Sequence, residues 1–426
     1  MNGGTVHVVG AGIAGLSAAV RLADEGCRVE VYESARFAGG RCRSYHDRTL
    51  DLRIDNGNHL LLSGNAAALD YLGRIGSGAK LKGPVSAIFD FADLAKGERW
   101  RLRPNDGRVP WWLLSAGRRV PGTRLREYLA VLATLRVRAS ARLRDVMDCS
   151  GPLYQRLWRP VLLAGLNNDP PDSSARLAGA ILRETLGAGG KACRPLVAIE
   201  GLSSTFVEPA LAHLSKRGVS VHLGQRLGAV DFEAGRAVAL SFGKQQKALA
   251  QDDALVLALP PWIAQEILPG LEVPDAFRTI LNAHFRIAPS PDQPMILGVV
   301  NGLTEWVFAY KDYVSVTISS ADRLLCEPRE RLAAQIWREV GALCGLGSRL
   351  PPWQIINERR ATFAAIPDQD AKRPCARTSW RNVVLAGDWT QTGLPATIEG
   401  AVRSGYRAAS IIMEEREAAH GAITVR

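Results

Sequence analysis

Three glycines within six residues are the first feature of this chain with chemical content: Gly10-Ala11-Gly12-Ile13-Ala14-Gly15 has the GxGxxG spacing. The first glycine allows a tight turn, the second lets backbone approach a pyrophosphate, and the third lets a helix close onto a strand. A helix that begins there, with Ile13 and Ala14 in its first turn, aims free N–H groups and a partial positive charge at phosphate. Glu33 follows 18 residues after Gly15. An acid at that place accepts hydrogen bonds from ribose hydroxyls and disfavours a 2′-phosphate, so an NADP-type ligand is not expected.

Two further clusters extend the same chemistry. Gly39-Gly40-Arg41 lets backbone wrap an extended cofactor, and the arginine can neutralise a pyrophosphate or approach a flavin. Far along the chain, Leu385-Ala386-Gly387-Asp388-Trp389 is an apolar run ending in Gly-Asp, and nine residues after Asp388 the string Thr397-Ile398-Glu399-Gly400-Ala401-Val402 opens a helix. An aspartate at a strand end beside a helix N-terminus can bond ribityl hydroxyls and phosphate, with the helix dipole facing an isoalloxazine. A nicotinamide enzyme needs no such distant second clamp, so the expected cofactor is FAD. Asp55-Asn56-Gly57-Asn58-His59 gathers polar groups in one turn. No Ser-His-Asp set or metal-ligand spacing is evident, and no metal is expected.

These residues need elements to hold them. Residues 5–9 form a short β-branched run, 13–25 have helical periodicity closed by Gly26, and 28–32 alternate as a second strand. Strand character returns at 219–223, 255–259 and 383–385, and a meander is expected across 296–319. Helices are expected at 330–344 and 397–413, and the stretch from 66 to about 190 reads as longer helical segments with basic faces. The fold class is therefore α/β: a Rossmann-like FAD-binding domain, a parallel sheet with helices, interleaved with a mixed α+β substrate domain. The first is assigned to 1–65, 190–265 and 380–426, the second to 66–189 and 266–379.

The glycine loop, Glu33, Gly39-Gly40-Arg41 and Gly387-Asp388 with its helix resemble the flavin amine oxidase and phytoene desaturase superfamily. Gly218-Val219-Ser220-Val221-His222-Leu223 through Val230 is similar to that superfamily's strand pair under the adenine, which implies that backbone at Leu227 holds the adenine ring. Three longer strings look specifically like the squalene-associated FAD-dependent desaturases, the hydroxysqualene dehydroxylases. They are Asp55-Asn56-Gly57-Asn58-His59-Leu60-Leu61-Leu62, Leu157-Trp158-Arg159-Pro160-Val161-Leu162-Leu163-Ala164-Gly165-Leu166-Asn167, and the run from Gly387 to Ala401. That family usually carries Gln where this chain has Asn58, which keeps an amide.

The resemblance implies reductive removal of an allylic hydroxyl from hydroxysqualene, giving squalene and water in bacterial hopanoid synthesis. Hydroxide leaves poorly near neutral pH, so a proton donor or ordered water is required. His59 is the candidate catalytic donor, with a structural hydrogen-bonding role as the other reading. The turn that carries it implies flavin contacts from Asn56 and Gly57. Cysteine-linked flavins in the superfamily use a cysteine well upstream of the Gly-Asp strand, whereas Cys375 lies only 12 residues before Gly387, so FAD is expected to bind non-covalently. The competing readings are a phytoene- or dehydrosqualene-type desaturase, a flavin amine oxidase, and a non-catalytic prenyl-lipid carrier. The motifs name no external electron donor.

Composition narrows the setting. A chain of 426 residues is too long for one core. Seven cysteines without a CxxC pair read as reduced thiols of a cytoplasmic protein. No secretory leader and no spanning segment are expected. The net charge is +11, yet no nucleic-acid-binding motif accompanies it, so no nucleic-acid partner is expected. The arginines cluster between 99 and 144, around Trp111-Trp112-Leu113-Leu114, which reads as an exposed apolar wedge. Arginines with aromatics suit an anionic bilayer, and a thirty-carbon isoprenoid gains on the order of 20 kcal/mol by leaving water. A hydrophobic isoprenoid substrate and peripheral contact with the inner face of the cell membrane are the expected partners.

Overall fold

The computed structural model describes residues 4–424. Its first layer is a five-stranded parallel sheet whose central strand is Val6–Val9. Val29–Glu33 and Ser220–Leu223 lie on one side of it, Ala254–Leu257 and Val383–Leu385 on the other. Val6, Val8, Val31, Leu255, Val256 and Leu257 are fully buried. Parallel strands covered on both faces are expected to be continuously apolar, and each such side chain contributes ~1.5–3 kcal/mol relative to exposure.

The helices Ile13–Asp24 and Ile398–Thr424 pack against each other over one face of this sheet. Gly405 makes the close crossing possible, since a Cβ there would stand 2.2 Å from the Ala14 carbonyl oxygen. The approach brings the two chain ends that carry the cofactor motifs into one layer.

The second layer is a seven-stranded mixed sheet built from Phe89–Asp93, Glu98–Leu102, Phe277–Phe285, Ile296–Val300, Trp306–Ala309, Val314–Ile318 and Trp353–Phe363. Alternation gives it two different faces. Leu281, Ala283, Phe285, Val307, Val314, Val316 and Ile318 face the helix Arg329–Cys344 in a closed apolar core. The opposite face carries Asn282, His284, Ser315 and Thr317, flanked by Trp306 and Phe308 in register.

Two readings of the sequence are corrected. The stretch from 66 to 190 is not a run of long α-helices, since Leu81–Lys82, Phe89–Asp93 and Glu98–Leu102 are strands and 111–145 winds only into 3-10 segments, the longest being Leu125–Leu135. Pro104, Pro110, Pro121, Gly107, Gly117 and Gly122 interrupt any helix over 104–122. The segment 218–230 is not a strand pair either: Ser220–Leu223 joins the parallel sheet, while Ala229–Glu233 turns away into a separate three-stranded antiparallel sheet.

Candidate active site

The glycine loop forms a cradle that is closed behind and open in front. Gly10 has φ +106°, and a Cβ there would meet the Ala258 carbonyl oxygen at 2.3 Å. A Cβ at Gly15 would lie 1.8 Å from the Gly10 oxygen, so the helix can reach the strand only without one. Around Gly12, by contrast, no atom comes within 4 Å of a built Cβ. Gly39 bridges to this loop, its N–H donating to the Ala11 carbonyl at 2.8 Å, and Gly40 follows with φ +57°. Ile13 and Ala14 are buried in the first helical turn, whose N–H groups start beside the open space at Gly12.

Glu33 sits at the edge of the cradle. Its carboxylate accepts from the Ala11 N–H and the Ala35 N–H, each at 2.8 Å, and two carboxylate oxygens keep capacity for further donors. The Gln225 N–H bonds the Glu33 carbonyl at 2.8 Å, which draws 224–228 past the end of that strand. Leu227 lies on this passage with its side chain buried in the core.

Arg41 and Asp388 meet across 347 residues of sequence. The guanidinium bonds both carboxylate oxygens, at 2.7 and 2.8 Å, and also donates to the Ala361 carbonyl. Behind them Gly387 N–H donates to Ser404 Oγ at 2.8 Å, and Thr397 Oγ1 accepts from the Gly400 N–H at 3.0 Å, capping the helix that begins at Ile398. Arg373, which sequence reasoning missed, is 1 % exposed and holds this turn. It donates to the carbonyls of Asp388 and Thr390, to Thr392 Oγ1 at 2.9 Å, and to Asp370 at 3.1 Å. Nothing local in the sequence marks it.

The turn after Leu52–Asp55 brings polar groups beside this pair. Asp55 accepts from Ser44 Oγ at 2.5 Å and Leu202 N–H at 2.9 Å, and burial pushes its carboxyl up to about 6. It ties three segments together and faces that turn. Asn56 Nδ2 donates to Glu358 at 3.1 Å, and Gly57 abuts the Asn282 amide, which a Cβ would meet at 3.0 Å. His59 makes no hydrogen bond among the described residues. Burial and the neighbouring Arg41 charge hold its imidazole down to about 4, so it is neutral at neutral pH.

Asn58 reaches the mixed sheet. Its Nδ2 donates to Ser315 Oγ at 2.8 Å and Thr317 Oγ1 at 2.9 Å, and its Oδ1 accepts from the Tyr310 hydroxyl at 3.1 Å. Around this polar island the sheet face is aromatic: Phe91 stacks on Trp100 at 5.4 Å and meets Trp306 edge-on at 5.8 Å. Trp112, Tyr128 and Trp158 continue the same core toward 109–135. Of these, Asn58, Trp112 and Trp158 stood in strings the sequence singled out, but their convergence with Asn282, Ser315 and Thr317 was not legible there; the polar positions alternating with Val314, Val316 and Ile318 were the available signal.

A separate cleft of about 370 Å³ lies on the outer side of Val29–Glu33, lined by Glu30, Tyr32, His222 and Lys247. It shares Gln225 with the passage beside Glu33 and no residue with the island. Among the described residues no cluster suits a metal ion, and all seven cysteines are free thiols.

The open backbone at Gly12, the helix N-terminus beside it, and the Arg41–Asp388 pair at the far end fit an extended, flavin-bearing nucleotide. Known proteins agree. The family described as flavin containing amine oxidoreductase matches residues 13–288 and 305–413. Hydroxysqualene dehydroxylase of Rhodopseudomonas palustris is 55% identical over 410 residues, covering 96% of this chain and 98% of that protein. The enzyme of the same name from Sinorhizobium fredii is 52% identical over 410 residues, with the same coverage. Cyclohexylamine oxidase from Brevibacterium oxydans superposes with a TM-score of 0.70 at 17% identity, covering 97% of this chain and 100% of its own, which speaks for the fold alone.

Proposed function

Since the chain belongs to the flavin-containing amine oxidoreductases and, within them, to the hydroxysqualene dehydroxylases, we propose that it binds FAD non-covalently and converts hydroxysqualene to squalene. The carbon–oxygen bond breaks, a hydride (one proton with its two electrons) reaches the carbon, and the hydroxyl takes up a second proton and departs as water. Reduced FAD, when bound, supplies the electron pair and the hydrogen.

The chain's own residues bind and orient. Gly10, Gly12, Gly15, Ile13 and Ala14 take the pyrophosphate, Glu33 the adenosine ribose, and backbone at Leu227 the adenine. Gly39, Gly40, Arg41, Gly387, Asp388, Thr397 and Ile398 hold the flavin half, with Asn56 and Gly57 against the ring. His59 lines the reacting space. Neutral at neutral pH, its N–H can hydrogen-bond a departing hydroxyl but carries no spare proton, so water delivers the proton.

The observation that carries the substrate assignment is the 55% and 52% identity to hydroxysqualene dehydroxylases over 96% of the chain; the buried aromatic side chains of Phe91, Trp100, Trp306 and Phe308 are in keeping with it. Apolar side chains of this kind suit a polyprenyl chain.

Delivery of such a substrate is proposed to occur at a membrane surface. No described helix is long and apolar enough to cross one. Val109, Trp111, Leu114, Leu125, Leu129, Leu132 and Leu135 are nevertheless exposed within one short stretch. Residues 99–144 hold twelve arginines against Asp106 and Glu127, a net of +10 in a chain of net charge +11. Apolar side chains set among arginines favour the cytoplasmic face of an anionic bilayer.

The test is anaerobic. Enzyme reduced beforehand is mixed with hydroxysqualene, and flavin absorbance is followed beside product analysis. Reoxidation with equimolar squalene is expected. Reduction of oxidised enzyme by a hydrocarbon, with new double bonds, would make it a desaturase instead.

A further inference from the structure

We propose that the polar island on the mixed sheet, Asn58 with Asn282, Tyr310, Ser315 and Thr317, receives the substrate hydroxyl and selects the alcohol over the hydrocarbon. This rests on the reaction assigned above and adds the residues that set its specificity.

Cross-strand pairing places the island. Asn282 pairs with Thr317 and His284 with Ser315, all on the face turned away from the closed apolar core. The next strand offers Trp306 and Phe308 in the same rows, so four polar residues border an aromatic wall. Buried polar groups are unfavourable beside apolar surface unless they are paired or have a task. Most are paired: Asn282 Oδ1 accepts from Thr317 Oγ1 at 2.9 Å and from the Asn58 backbone N–H at 3.3 Å. That backbone N–H can only donate, which fixes the amide of Asn282 with its oxygen toward Asn58 and its Nδ2 against Gly57.

Three groups keep unused capacity among the described residues. Asn282 Nδ2 has no acceptor. The Tyr313 hydroxyl has no partner, while its ring stacks on Tyr310 at 4.5 Å. His284 bonds Ser315 Oγ through Nδ1 at 2.9 Å, and its buried Nε2 has no partner. Free donors, and a hydroxyl that can donate or accept, are what an alcohol needs, because it does both. The island also adjoins the cofactor residues, since Asn56, two positions before Asn58, bonds Glu358 beside Arg41. A hydroxyl held here is held next to Gly57, at the expected flavin edge.

A hydrocarbon would leave Asn282 Nδ2 unpaired, and sites built to hydrogen-bond a hydroxyl reject analogues that lack it. Product is thereby disfavoured where substrate is favoured.

The test compares affinities of flavin-loaded full-length protein for hydroxysqualene and squalene, read by flavin absorbance, with KM and kcat alongside. Wild type should prefer the alcohol by at least ~10-fold. Tyr313→Phe, which removes the unpartnered hydroxyl, and Thr317→Val, which releases the amide of Asn282, should erase most of that preference, raising KM about 10-fold or more while squalene affinity stays within about twofold. Asn58→Gln should retain more of it than Asn58→Leu. Parallel loss of both affinities, or an unchanged preference, overturns the proposal even if wild type makes squalene. If wild type makes no squalene yet prefers the alcohol, and Thr317→Val abolishes that preference, the island stands and the reaction assignment falls. A wild type without any preference sinks the island outright.

Discussion

Gly12 and Gly15 stand three residues apart and meet opposite surroundings. A methyl at Gly15 collides with the Gly10 oxygen at 1.8 Å, while one at Gly12 meets nothing within 4 Å. Gly15→Ala should therefore destabilise the fold by about 1–3 kcal/mol or more in denaturant unfolding. Gly12→Ala should unfold within about 0.5 kcal/mol of wild type yet retain flavin at least ~10-fold less tightly, because only a ligand uses that space. His59 gives a second residue-scale test. Were it the proton donor, His59→Gln would cost about 10²–10⁴ in kcat; held neutral as it is, the loss should stay below about 100-fold. His284 supplies a pH dependence. Burial lowers its imidazole from 6.5 to about 4, so the unfolded chain binds the extra proton first as pH falls. Stability from neutral His284 is complete above 6.5 and is lost toward 4, about 3 kcal/mol in all. The stability difference between wild type and His284→Gln should shrink by that amount from pH 7 to pH 4, measured by urea titration. Asp55, whose carboxyl rises from 3.8 to about 6, works in the opposite direction, which is why the difference and not the raw profile is the readout. At this scale the cofactor residues were legible, because phosphate and ribose demand glycine, acid and arginine at contiguous spacing. The island was not, because serine, threonine and asparagine alternating along strands look like a solvated edge until the opposite layer is known.

Elements were legible where apolar periodicity was unbroken. The first strand–helix–strand unit, the strand Val383–Leu385 and the meander all arose from buried runs or clean alternation. The segment 104–145 misled because its leucines and arginines suit a basic amphipathic α-helix, while prolines and glycines break 104–122 into short turns and Leu125–Leu135 winds as a 3-10 helix. The apolar wedge was half right for the same reason. Trp111 and Leu114 are exposed at 52% and 75%, but the turn rotates Trp112 and Leu113 inward to 3% and 8%. Arg373 shows what a sequence cannot announce: one guanidinium satisfying the carbonyls of a turn 15–17 residues downstream. Arg373→Met would leave those acceptors and the buried side of Asp370 short of a donor. It should lower stability by about 3–5 kcal/mol and weaken flavin binding, both readable in one thermal melt followed by flavin fluorescence.

Across the whole molecule, charge and apolar exposure coincide. Nearly all of the net positive charge falls on residues 99–144, and most of the exposed large apolar side chains lie within the same stretch. Behind them the aromatic core runs from Trp112 through Trp158 toward the sheet face next to the flavin cradle. The arrangement supports the proposed delivery of a lipid from an anionic surface. Sedimentation with vesicles should show binding to anionic but not zwitterionic lipid, weakening as salt rises. Leu129→Ser combined with Leu132→Ser should reduce it without changing stability by more than about 0.5 kcal/mol per site. The central claim, that reduced flavin in this cradle replaces the hydroxyl of an isoprenoid alcohol with hydrogen, is tested most directly by a single turnover in deuterium oxide. Enzyme reduced there, mixed with hydroxysqualene without oxygen, should yield squalene carrying a single deuterium at the carbon that bore the hydroxyl. Recovery of unchanged alcohol beside still-reduced flavin would contradict it.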